Sequence, residues 1–166
     1  MGFGAYSQSE YRFSNFTINN GLSQSSVTTI IQDELNSLWV GTQDGLNRYN
    51  GTSFEIFTSD DTKGLESEYI ICSAKDKNGN LWFGTSKGLT QYNLRTQSFQ
   101  TFTDKNGVAF HIQDISIDGH GNLWLASAES GIYKFSVSQK KVLNHGIIIP
   151  SKKTTNIAIT ESGSLI

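Results

Sequence analysis

The chain has 166 residues, 36% of them hydrophobic, enough for one domain with a core of its own. Its 13 Lys and Arg are scattered and its 15 Asp and Glu bring the net charge to −2, which excludes an electrostatic case for nucleic acid or an anionic membrane. No apolar run approaches the ~18 residues of a membrane helix, and the single cysteine, Cys72, excludes an internal disulfide.

In chain order, the first feature is Ala5-x-Ser7 ahead of Gln8, small residues at the spacing of an export-signal cleavage site, without the apolar segment that precedes one. Residues 1–10 read as the stub of such a signal or as an ordinary terminus. A repeat then takes over, with Trp39, Trp82 and Trp124 standing 43 and 42 residues apart. Leu38-Trp39-Val40-Gly41-Thr42 matches Leu81-Trp82-Phe83-Gly84-Thr85 and, more loosely, Leu123-Trp124-Leu125-Ala126-Ser127. Gly45-Leu46, Gly88-Leu89 and Gly131-Ile132 follow in step, each leading to an aromatic: Tyr49, Tyr92 and Phe135. Phe54-x-x-Phe57 matches Phe99-x-x-Phe102, and an aspartate precedes each tryptophan by six: Asp33, Asp76, Asp118.

Each unit predicts four short strands, in the first repeat residues 27–33, 38–42, 46–50 and 53–58. Four strands in about 42 residues is the size of a propeller blade. A sandwich built of the same strands would not explain the strict recurrence. The fold class is therefore all-β: a β-propeller fragment of three four-stranded antiparallel blades plus the start of a fourth. The boundaries are blade 1 at 21–62, blade 2 at 63–105, blade 3 at 106–148 and a truncated blade 4 at 149–166. Residues 11–20, with Phe13-x-x-Phe16, read as the outer strand of a neighbouring blade. Forty-two residues beyond Trp124 lies Ile166, so the chain is expected to stop inside a hairpin and to be a fragment of a longer protein.

The turn Asp76-Lys-Asn-Gly79-Asn recurs as Asp118-Gly-His-Gly121-Asn; its aspartate is placed to accept backbone N–H bonds across the hairpin. Asp76, Asn78 and Asn80 alternate like the start of a calcium loop, but the glycine comes fourth and the twelfth position is Lys87. His111, His120 and His145 occupy different repeat positions and are not expected to converge on a metal. No metal or cofactor is expected. The tryptophans, with Tyr49, Tyr92 and Phe135, sit at one repeat position each, which assigns them to packing between blades rather than to sugar stacking. Cys72, in an apolar strand pattern, reads as a small buried hydrophobe.

The pattern running from Gly21-Leu22-Ser23 through Asp33, Leu38-Trp39-Val40-Gly41-Thr42, Gly45-Leu46, Tyr49 and Phe54-x-x-Phe57 resembles the two-component regulator propeller repeat. Gly64–Phe102 carries it almost as well. The third copy departs, with Ala126-Ser127 for Gly-Thr, one residue inserted before Gly131 and the phenylalanine pair lost near Val142. The resemblance implies an exported, periplasmic or extracellular, ligand-sensing domain of a large hybrid sensor kinase of Bacteroidetes, often built from two seven-bladed propellers. The partners it implies are a small polar ligand, typically an oligosaccharide, and the remaining blades of the parent protein. Kinase and DNA-binding parts would lie outside this chain.

A propeller hydrolase or lyase is the rival class, but Arg12, Arg48 and Arg95 share no face and no catalytic set assembles, so no catalytic residue is named. A protein-docking scaffold needs only surface loops and stays open. Against the repeated frame, the residues seven and eight before each turn aspartate diverge: Ser25-Ser26, Glu68-Tyr69, Phe110-His111 and Lys152-Lys153. The loop between second and third strands diverges too, at Gln43-Asp44, Ser86-Lys87 and Glu129-Ser130. Both segments are expected on the rim of the central funnel. Glu68, Tyr69, Phe110, His111, Lys87 and Glu129 are the candidate ligand-binding residues. Loop residues under no constraint would diverge in the same way.

Overall fold

The computed structural model describes residues 13–102, 111–128, 130–147 and 156–159. Three four-stranded antiparallel sheets follow one another along the chain, each in the order of its strands in sequence. Blade 1 is β1 (Val27–Gln32), β2 (Leu38–Thr42), β3 (Gly45–Tyr49) and β4 (Phe54–Phe57). Blade 2 is β5 (Ile70–Lys75), β6 (Leu81–Thr85), β7 (Gly88–Asn93) and β8 (Ser98–Phe102). Blade 3 is β9 (Ile112–Ile117), β10 (Leu123–Ser127), β11 (Gly131–Ser136) and β12 (Lys141–Ile147). The predicted strands thus form, with β3 beginning one residue earlier than expected because Gly45 already pairs with Thr42.

Alternation assigns the faces. Ile31, Trp39, Arg48 and Glu55 lie opposite one another across blade 1, on the side that meets blade 2. Trp39 is fully buried there, stacked on Phe57 (5.4 Å, 18°) and packed against Tyr92 (4.4 Å) and Phe83 (6.1 Å) of the next blade. Trp82 repeats this with Phe102 (5.9 Å) of its own blade and Phe135 (5.5 Å) of blade 3. Leu46, Leu65, Ile70 and Leu81 complete the first interface, and Cys72, Leu89, Ile112 and Leu123 the second. Val142 packs where the phenylalanine pair of the third repeat is missing. The core therefore lies between blades, as expected for the aromatic positions.

The innermost strands lie side by side. Thr28 Oγ1 donates to the Ile70 carbonyl (2.8 Å), and the Ile157 N–H donates to Asp114 Oδ2 (2.9 Å). Glycine at the Gly-Thr position allows this approach: a Cβ on Gly41 would stand 2.6 Å from Ile70 Cγ2, and one on Gly84 2.7 Å from Ile112 Cγ2. Ile157, buried against Ala126 and Ile132, belongs to 156–159, the described part of the expected fourth unit.

The expected outer strand at 11–20 differs. Residues 13–17 carry no regular structure and Ile18–Asn20 form a 3-10 turn capped by Thr17. A strand needs a ladder, and among the described residues no strand lies beside this segment. Phe16 nonetheless packs on Phe54 (5.5 Å) and Tyr49 (5.0 Å), as Phe57 packs on Phe99 (5.2 Å) one blade on. Residues 1–12 lie outside the described residues, as does most of the expected fourth blade.

Candidate functional site

The rim is built by the segment that enters each innermost strand. In blade 2, Leu65 and Ile70 are buried anchors, and Ser67 between them accepts the Tyr69 N–H (3.2 Å) and pairs with Ser86 Oγ (2.9 Å). This turn points Glu68 and Tyr69 outward, Tyr69 remaining 37% exposed. The backbone then laces this entry to the loop between second and third strands. Gly45 N–H donates to the Glu68 carbonyl (3.0 Å), Ser86 N–H to that of Tyr69 (3.3 Å) and Ala128 N–H to that of His111 (3.1 Å). Entry and loop share one rim, as the register implied.

Tyr69 and His111, equivalent residues of adjacent blades, come together with ring centroids 6.2 Å apart at 72°. Glu68 Oε2 accepts from Ser59 Oγ (3.3 Å), and Gln43 Nε2 reaches Tyr69 Oη (3.4 Å). Lys87 is exposed on the loop of blade 2, its N–H held by Thr85 Oγ1 (3.2 Å). Phe110 and Glu129 lie outside the described residues. The arrangement presents an edge-on pair of flat rings, with Glu68 next to Tyr69 in the entry segment and Lys87 exposed on the adjoining loop, suited to binding by contact and hydrogen bonding.

The turn aspartates serve the frame. Asp76 Oδ1 accepts the N–H groups of Asn78 (2.8 Å) and Asn80 (3.0 Å), the hairpin role expected. Its other oxygen takes the indole N–H of Trp82 (2.9 Å), as Asp33 takes that of Trp39 (2.8 Å) and Asp118 that of Trp124 (3.1 Å). Sequence reasoning missed this link, although the constant separation of six was its signal. Burial raises the Asp118 carboxyl, but bonds from the Asn122 main chain and side chain, Lys134 and Trp124 outweigh it and hold the group well below the usual carboxylate range. Burial, with the Asp114 charge beside it, pushes the Cys72 thiol up to about 12, so it is an inert core group. Among the described residues no group of three or more His, Cys, Asp or Glu is placed to hold a metal ion.

Comparison with known proteins follows the same lines. The model of the two-component regulator propeller matches residues 21–44 and 64–87, the parts of the first two repeats that contain the turn aspartate and the tryptophan. These two segments thus match the two-component regulator propeller repeat, as the resemblance in the sequence indicated. A histidine kinase of Formosa agariphila is 53% identical over 49 residues, which are 30% of this chain and 4% of that protein. The extracellular domain of a putative hybrid two component system from B. thetaiotaomicron superposes with a TM-score of 0.80 at 24% identity, over 92% of this chain and 23% of that one. A second B. thetaiotaomicron extracellular domain, of a putative one component system, gives 0.76 at 18% identity, over 95% and 24%. Virginiamycin B lyase from Staphylococcus aureus gives 0.62 at 11% identity, over 84% and 47%. These superpositions show the propeller fold. This chain spans 4% of the kinase, about a quarter of the two B. thetaiotaomicron domains and 47% of the lyase.

Proposed function

We propose that this chain is part of an extracytoplasmic sensing propeller of a hybrid two-component sensor, and that its rim binds a small polar ligand of the oligosaccharide class. The observation that carries the reading is the meeting of Tyr69, within a repeat that matches the two-component regulator propeller, with His111 of the next blade. Tyr69 offers a flat face to the C–H side of a sugar ring, while Glu68, His111 and Lys87 offer directional hydrogen bonds to hydroxyls. Phe110 and Glu129 hold the sequence positions of the third repeat that correspond to Glu68 and Ser86. The remaining blades of the parent protein close the funnel around it. Any kinase chemistry belongs to other parts of that protein.

Calorimetric titration with defined oligosaccharides tests this. A saturable ligand should emerge, and His111→Ala should weaken it roughly ten- to hundredfold. A panel without a binder, or binding that His111→Ala leaves unchanged, would contradict the reading.

A further inference from the structure

Gln91 differs in chemistry from the residues that share its register. It sits on the β7 face that meets blade 3, opposite Trp82 on one side and Gln100 on the other. Its equivalents are Arg48, opposite Trp39, and Lys134, opposite Trp124. Both equivalents are cations lying over their tryptophan, at 5.6 and 4.8 Å from the ring centroid. Both are also satisfied, Arg48 by Glu55 (2.6 Å) and Tyr92 Oη (3.4 Å), Lys134 by Asp118 (3.0 Å). In blade 2 the cation is gone, and Phe135 stands where Tyr92 supplied its hydroxyl. Gln91 is only 5% exposed, and its carboxamide has no hydrogen-bond partner among the described residues. It borders a cleft of about 310 Å³ between blades 2 and 3.

A second change leaves a charge over. Between blades 1 and 2, Glu34 reaches across to the turn glycine Gly79 and pairs with Lys75 (2.9 Å). One blade on, Lys77 replaces Glu34 and lies across Gly121, its Cε 3.5 Å from where a Cβ there would stand. Ile117 replaces Lys75, so Lys77 has no carboxylate partner among the described residues. Lys140 closes the opposite wall, donating to Gln100 Oε1 (3.1 Å). His120 lines the cleft as well, and Asp76 in its wall is already engaged by four donors. The cleft therefore presents uncommitted donors and excess positive charge.

We propose that this cleft, at the end of the blades away from the rim, binds a small oxyanion, held by Lys77, Lys140 and the carboxamide of Gln91. Ammonium and amide donors make charge-assisted bonds to such a group, and the volume is at the small end of ligand pockets. The oxyanion is a carboxylate or a phosphate or sulfate group.

Calorimetric titration of the full chain with sodium sulfate, sodium phosphate and sodium acetate, each at constant ionic strength in chloride, reads the site. At least one should bind saturably, and acetate against the other two tells a carboxylate from a phosphate or sulfate. Gln91→Leu and Lys77→Met should each weaken binding roughly tenfold or more. Lys77 is exposed, so its variant folds whatever Gln91→Leu does. Absence of saturable binding to all three ions, or binding that Lys77→Met leaves unchanged, overturns the proposal.

Discussion

Asp76 does two jobs with one carboxylate, closing its hairpin with one oxygen and fixing the buried indole of Trp82 with the other. Removing it strands several buried donors at once. Asp76→Ala should therefore cost about 3 kcal/mol, read as a shift in the denaturant midpoint. Asp118 adds a pH signature, because its folded carboxyl lies below the usual range. The unfolded chain takes up that proton near pH 4 and the folded chain only at lower pH. The stability that Asp118 contributes is thus complete above the unfolded value and is lost as pH falls toward the folded one. Melting curves between about pH 5 and pH 2 should fall less steeply for Asp118→Asn than for the parent chain. The turn role of these aspartates was legible in the sequence, since Asp-x-x-Gly spacing dictates a hairpin. Their bond to tryptophan was not read, because periodicity shows that two residues recur together without showing that they touch.

At the scale of the element, the Gly-Thr position sets how closely blades approach. A methyl group on Gly84 would stand 2.4 Å from Cys72 Sγ and 2.7 Å from Ile112 Cγ2, both parts of a packed core. Gly84→Ala should cost roughly 1–3 kcal/mol by equilibrium unfolding, with its rim unchanged. Blade 3 carries Ala126 there, and its register partner Asp114 turns its carboxylate to the Ile157 N–H instead of filling the interface with an apolar group. The twelve strands of the described residues were legible because tryptophan and glycine mark positions in every repeat and paired phenylalanines do so in the first two. Phe13-x-x-Phe16 is the only sign of an outer strand over residues 11–20, of which the described part carries no strand. Side-chain identity placed Phe16 correctly against the next blade, but a strand depends on a neighbour that residue identity does not supply. The cleft beside Gln91 escaped the repeat comparison for a related reason: its chemistry comes from single departures at frame positions, which a search for recurrence passes over.

For the whole molecule, the outer face of blade 1 matches residue for residue the face that blade 2 buries against Trp39. Leu38, Val40, Tyr49 and Phe54 correspond to Leu81, Phe83, Tyr92 and Phe99. Leu81 is fully buried, whereas Leu38 is 38% exposed, with Ile30 at 61% and Ile56 at 46% on the same side. On the proposed reading another blade covers this face. The chain by itself should then self-associate through it, and Ile30→Lys should shift the mass measured by light scattering toward the monomer. A monomeric parent chain under the same conditions would speak against that. The overall division of labour is that recurring residues hold blades together and diverging rim residues recognise a ligand. Tyr69 tests it most directly, since its ring is on the rim and outside the interblade cores. The decisive measurement is paired calorimetry on Tyr69→Ala, one arm reading ligand affinity and the other the melting temperature. The account predicts affinity reduced roughly ten- to hundredfold with melting unchanged; unchanged affinity with a lowered melting temperature would contradict it.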